Sequence, residues 1–163
     1  MKWLLALALA ALPQQQYPDV PAPRLRGIAM ETHSWGRPVA AWTIDAAGNG
    51  RYTAPEPEVH AAKRLVTRSF AAGTSGFRRL RTLLGNAEVR AGRALPCIQR
   101  ITDMVYGEVR WTRFDGRSSE FRFDAGCRDF SVRRVLAELK QADDLVAGWA
   151  ANGPVVETKD VNP

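Results

Sequence analysis

The chain has 163 residues and a formal net charge of +6, because 23 lysines and arginines outnumber 17 acidic residues. A chain of this length makes one domain that buries roughly 70% of its unfolded surface, so it does not require a metal ion to fold. All but four of the basic residues are arginine, which indicates either contacts with phosphate and carboxylate groups or a GC-rich coding sequence.

The amino terminus has the layout of a secretion signal. Lys2 is followed by an unbroken apolar run at 3–12 and then by Pro13. A bilayer-spanning helix needs roughly 20 residues, so we expect no stable membrane anchor. Ala8-Leu9-Ala10 is a small-x-small cleavage signal, and residues 1–10 are predicted to be removed on export. The expected location of this bacterial-type protein is periplasmic or secreted, and nucleic acid is therefore not an expected partner.

The remaining chain divides by composition into three parts. Residues 11–26 are rich in proline and glutamine and predict a flexible tether. A single folded domain is expected at 27–153, and residues 154–163 are expected to form a tail.

Alternating apolar residues predict the first strands of this domain. Residues 28–45 are expected to form two strands, broken near Gly36-Arg37-Pro38. Further strands are predicted at 51–53 and at 64–71.

Two helices are predicted from apolar residues that recur at helical spacing. The first is expected at about 75–84, with Thr74-Ser75 as its cap. The second is expected at about 132–150, with Ser131 as its cap. Its wide apolar stripe requires a sheet to pack on.

Charge and hydropathy predict the register of a hairpin over residues 105–124. A three-residue turn at Phe114-Asp115-Gly116, with Gly116 left-handed, keeps apolar side chains on one face of the hairpin. In this register Val109 lies opposite Phe121 and Trp111 lies opposite Ser119. On the outer face Arg110 then meets Glu120, and Glu108 meets Arg122.

Cys97 and Cys127 are the only cysteines, and in an oxidising compartment they are expected to form a structural disulfide. The order of the predicted elements indicates an α+β fold. We expect an antiparallel sheet of about five to six strands, with both helices packed on one face.

Two features are candidates for binding a partner. Arg78, Arg79 and Arg81 form the densest basic patch, which predicts contact with an anionic envelope component or an acidic protein; the alternative is a solvated helix face. Trp35 lies in a turn-like stretch and is a candidate interaction anchor, although it is also consistent with a tryptophan folded back on the sheet.

Catalytic and metal-binding patterns are weak. The two histidines, His33 and His60, with Glu31 or Glu58 lack the short ligand spacings of a zinc site. Ser75 lacks the glycine spacing of a nucleophile elbow. We therefore predict no cofactor, no metal and no catalytic residue.

Two functions remain open at this stage. The first is a non-enzymatic module that binds a partner. The second is a small hydrolase acting on envelope polymers, which requires at least two of four side chains to converge in one cleft: His33, His60, Asp103 and Glu108.

Overall fold

The computed structural model describes residues 24–56 and 64–161. The predicted signal at 1–10 lies outside these residues, as do most of the predicted tether and His60. Within the described part of the chain, no helix is both long and apolar enough to cross a membrane.

The described residues form one seven-stranded sheet in which every neighbouring pair of strands is antiparallel. From edge to edge, the strand order is β6-β5-β1-β2-β3-β4-β7. The strands are β1 (Leu25–Ser34), β2 (Arg37–Asp45), β3 (Asn49–Glu56), β4 (Arg64–Ala71), β5 (Tyr106–Arg113), β6 (Ser118–Asp124) and β7 (Val155–Asp160).

Three helices lie between these strands in the sequence: α1 (Gly73–Leu83), α2 (Gly85–Val89) and α3 (Phe130–Ala150). Alternate residues of the strands, such as Ile28 and Trp111, are buried in one core with Leu80 of α1 and Leu139 of α3. The α+β class and the antiparallel sheet are therefore confirmed.

The numbers of strands and helices differ from the prediction. The sheet has seven strands rather than five or six, because Val155–Asp160 is not a tail but strand β7, paired with β4. All six residues of β7 are exposed, so the strand has no buried face that hydropathy would reveal. At the other end, β1 begins at Leu25, inside the predicted tether. The third helix, α2, has only five residues.

The predicted helix caps are wrong. Helix α1 begins at Gly73, with Ala72 at the N-cap and no side-chain cap, and therefore includes Thr74 and Ser75. Helix α3 begins at Phe130 and includes Ser131, with Asp129 at the N-cap.

The Asp129 carboxylate does not cap its own helix because it accepts other hydrogen bonds. The backbone N–H groups of Ile98 and Gln99 donate to it over 2.7 and 3.4 Å. These bonds hold the start of α3 against the segment that carries Cys97.

The hairpin register is confirmed. Val109 pairs with Phe121 and Arg110 with Glu120, as the charge pattern predicted. The Arg113 N–H donates to the Arg117 carbonyl across 2.8 Å, which closes the three-residue turn. Gly116 has a φ of +82°, a conformation that glycine adopts without a Cβ penalty.

The disulfide between Cys97 and Cys127 is also confirmed, with the two Cα atoms 5.7 Å apart. An isolated β-bridge joins Arg100 to Cys127. The bond thus attaches the segment before β5 to the exit of β6.

Candidate functional site

Three arginines line one depression at the end of the sheet where β1 begins. Arg78 and Arg81 come from α1, and Arg24 immediately precedes β1. Phe114, in the β5–β6 turn, lines the same depression, and its side chain is 65% exposed. The Phe114 N–H donates to the Arg24 carbonyl across 3.3 Å, so the hairpin turn is held beside Arg24.

The three guanidinium groups differ in their partners. Arg81 donates to both carboxylate oxygens of Glu88, with distances of 3.2 and 3.1 Å. Arg24 and Arg78 are exposed and form no ion pair with any residue in the described ranges. The depression therefore presents two guanidinium groups that are available to an anion.

Arg79 does not belong to this group, so the basic patch expected from the sequence is divided by the helix. Residues three apart lie on one side of a helix, which places Arg78 with Arg81 and turns Arg79 away. Arg79 instead lines a different depression beside α3, together with Glu138 and Asp144.

Trp35 is exposed in a tight turn between β1 and β2. Trp35 is 71% exposed, so it is not folded back on the sheet. Trp35 and Gly36 have φ values of 53° and 73°, and two consecutive positive φ values are characteristic of a two-residue hairpin turn. The Gly36 N–H donates to the Tyr106 hydroxyl across 3.2 Å, and the Tyr106 ring stacks on His33 with centroids 5.9 Å apart.

The basic depression and Trp35 do not form one site. Arg24 precedes the start of β1, whereas Trp35 follows its end. A ten-residue strand spans roughly 30 Å. The two candidate binding features therefore lie at opposite ends of the sheet.

Within residues 24–56 and 64–161, no hydrogen bond or ion pair joins any two of His33, Asp103 and Glu108. The pairing of β1 with β5 nevertheless places His33 and Glu108 on one face of the sheet as diagonal neighbours, because Glu31 pairs with Glu108 and His33 with Tyr106. Glu108 is engaged by Arg110 and by Arg122, the latter at 3.7 Å. His33 stacks on Tyr106. His60 lies outside the described residues.

Cys97, Cys127 and Asp129 place one candidate ligand atom each within 4.8 Å of the others. The two sulfur atoms are joined in the disulfide, and Asp129 accepts backbone hydrogen bonds. The disulfide and the hydrogen bonds to Asp129 explain why these three side chains lie close together.

The half-buried carboxylate of Asp143 lies between the sheet and α3. The Trp42 indole Nε1 donates to Asp143 Oδ1 across 3.1 Å. Burial raises the pKa of Asp143, and the bond from Trp42 opposes that rise. Burial also raises the pKa of Tyr52 to about 12, with a further contribution from the charges of Asp143 and Asp144. The bond between Trp42 and Asp143 joins α3 to the sheet, and neither residue lines the basic depression.

The sequence contains one local signal for the basic depression. The spacing of Arg78 and Arg81 places them on one side of α1, separate from Arg79. The contributions of Arg24 and Phe114 depend on the pairing of β1 with β5 and carry no local signal.

Comparisons of the chain with protein-family models, with curated proteins and with solved structures found no match.

Proposed function

We propose that the chain is an exported, non-enzymatic module that binds an acidic segment of a partner protein through the basic depression. The observation that carries this proposal is the presence of Arg24 and Arg78 beside exposed Phe114. The predicted secretion signal supports a periplasmic or secreted location.

The chemistry of the depression suits an anionic partner. A guanidinium group donates in a planar fork that matches a carboxylate or a phosphate. Because Glu88 pairs with Arg81 and offsets its charge, the net positive charge of the depression comes from Arg24 and Arg78. The ring of Phe114 adds apolar contact area at the rim.

We choose an acidic protein segment as the partner because the depression that Arg24, Arg78 and Arg81 line can admit a protruding carboxylate side chain. The site is exposed, so its attraction for acidic groups is screened by salt.

The test compares two double variants with the same loss of charge. Arg24→Ala/Arg78→Ala removes the available groups of the depression, and Arg79→Ala/Arg93→Ala removes two exposed arginines elsewhere. Each protein is purified from the periplasm, where N-terminal sequencing is expected to begin at Ala11, and is titrated with a polyglutamate peptide.

We expect the depression variant to bind the peptide roughly tenfold or more weakly than the original chain, since a hydrogen bond to a charged group contributes about 1.5–3 kcal/mol. The control variant is expected to change binding by less than about threefold. Equal weakening in both variants would show that net charge, and not this site, governs binding. Binding to phosphatidylglycerol vesicles but not to the peptide would overturn the choice of partner.

A further inference from the structure

The two edges of the sheet differ in how they are covered. At the β6 edge, the Gly92 N–H donates to the Glu120 carbonyl across 2.8 Å, and Arg100 forms an ion pair with Asp124 at 3.3 Å. At the other edge, β7 pairs with β4 on one side, and its second side meets no strand among residues 24–56 and 64–161. An unpaired edge presents backbone donors and acceptors to another strand.

Strand β7 also has an unusual exposure pattern. All of its residues are exposed, including Val155 at 50% and Val156 at 47%. Its central residues alternate in charge: Glu157, the neutral Thr158 and Lys159. Neither charged residue forms an ion pair in the described chain, since β7 places Glu157 opposite Thr67 and Lys159 opposite Leu65.

We infer that β7 is a self-association edge, at which two copies of the chain pair their β7 strands antiparallel around a twofold axis at Thr158. In this register Glu157 of each copy faces Lys159 of the other. Opposite charges placed directly across an antiparallel pair stabilise it.

The charge pattern selects this register over its neighbours. Antiparallel strands related by a twofold axis normal to the sheet must place residues of the same face opposite each other. The axis must therefore pass through a residue, and the neighbouring registers move it by one residue along the strand. One step down places Glu157 opposite Glu157. One step up places Lys159 opposite Lys159. Only the register centred on Thr158 gives two attractive pairs and no repulsive one.

The first experiment is a charge exchange measured by sedimentation velocity on the full mature chain over a micromolar concentration series. The original chain is expected to show a monomer–dimer equilibrium that weakens with salt. Glu157→Lys and Lys159→Glu each replace two attractive contacts with two repulsive ones, and each is expected to raise the dimer Kd roughly tenfold or more. The double variant Glu157→Lys/Lys159→Glu restores opposite charges in the same register and is expected to restore the dimer.

The second experiment places a thiol on the proposed axis. Both native cysteines are in the disulfide, so Thr158→Cys carries one free thiol. Directly opposed residues have Cα atoms about 4.5–5.5 Å apart, within the range that a disulfide bridges. Thr158→Cys is expected to oxidise to a covalent dimer. In the matched control, Asp160→Cys, the two thiols are offset by four residues, or about 14 Å, and should not cross-link.

Circular dichroism and the unfolding midpoint of each variant establish that it is folded. A chain that remains monomeric at all concentrations overturns the inference. A dimer that is indifferent to the single substitutions shows that the interface lies elsewhere, and one that the double variant does not restore contradicts the register. None of these outcomes depends on Arg24 or Arg78, so failure of this inference can be distinguished from failure of the proposed anion-binding depression.

Discussion

Reduction of the disulfide is expected to destabilise the protein without unfolding it. The two cysteines are 30 residues apart in sequence. On the chain-entropy model, releasing a loop of that size stabilises the unfolded chain by about 3.5 kcal/mol. In the folded state, the Ile101 N–H still donates to Gly126 across 2.9 Å, and the Arg128 N–H to Gln99 across 2.8 Å. The segment therefore keeps its attachment to the hairpin, and most of the effect falls on the unfolded state.

The assay is equilibrium unfolding in urea, with and without dithiothreitol. With a urea m-value of about 2 kcal/mol/M, the loss lowers the midpoint by roughly 1.5–2 M. The control is Cys97→Ser/Cys127→Ala, whose unfolding curve should be unaffected by the reductant and should resemble that of the reduced original chain. A shift of less than about 1 kcal/mol would refute the entropic reasoning. Loss of near-ultraviolet circular dichroism on reduction alone would show that the bond maintains the native packing itself.

The remaining predictions concern pH. Because Tyr52 has its pKa raised to about 12 in the folded state, it keeps its proton while the unfolded chain loses it. Stability should therefore fall from about pH 10 upward, and the fall should be shallower in Tyr52→Phe by urea unfolding across that range; equal slopes would contradict it. Burial raises the pKa of Asp143 in the folded state. The free energy of unfolding should therefore fall as pH rises through that raised pKa, because the folded state disfavours the ionised carboxylate. Asp143→Asn keeps an acceptor for Trp42 and should be more stable relative to the original chain at neutral pH than at acidic pH; the reverse order in urea unfolding would refute the assignment.

The elements that sequence analysis predicted well depend on contacts between residues close in the chain. The β5–β6 register follows from alternation and from complementary charges such as Arg110 and Glu120, which are brought together by a short turn. The disulfide follows from the presence of only two cysteines in a chain that is predicted to be exported. Helices α1 and α3 follow from apolar spacing, although their starts do not. Helix α1 begins without a side-chain cap, and the Asp129 carboxylate at the start of α3 accepts from Ile98 and Gln99 rather than from its own helix.

Within the described chain, the sequence by itself determined the α+β class, the central hairpin and the cysteine pairing, since each is encoded in local periodicity or in a unique partner. Only the tertiary structure decided that Val155–Asp160 is an edge strand, because that strand buries no side chain and is defined only by backbone pairing to β4. Only the structure brought Arg24 and Phe114 beside Arg78. Those neighbours are set by pairings between strands far apart in sequence, which no local pattern specifies.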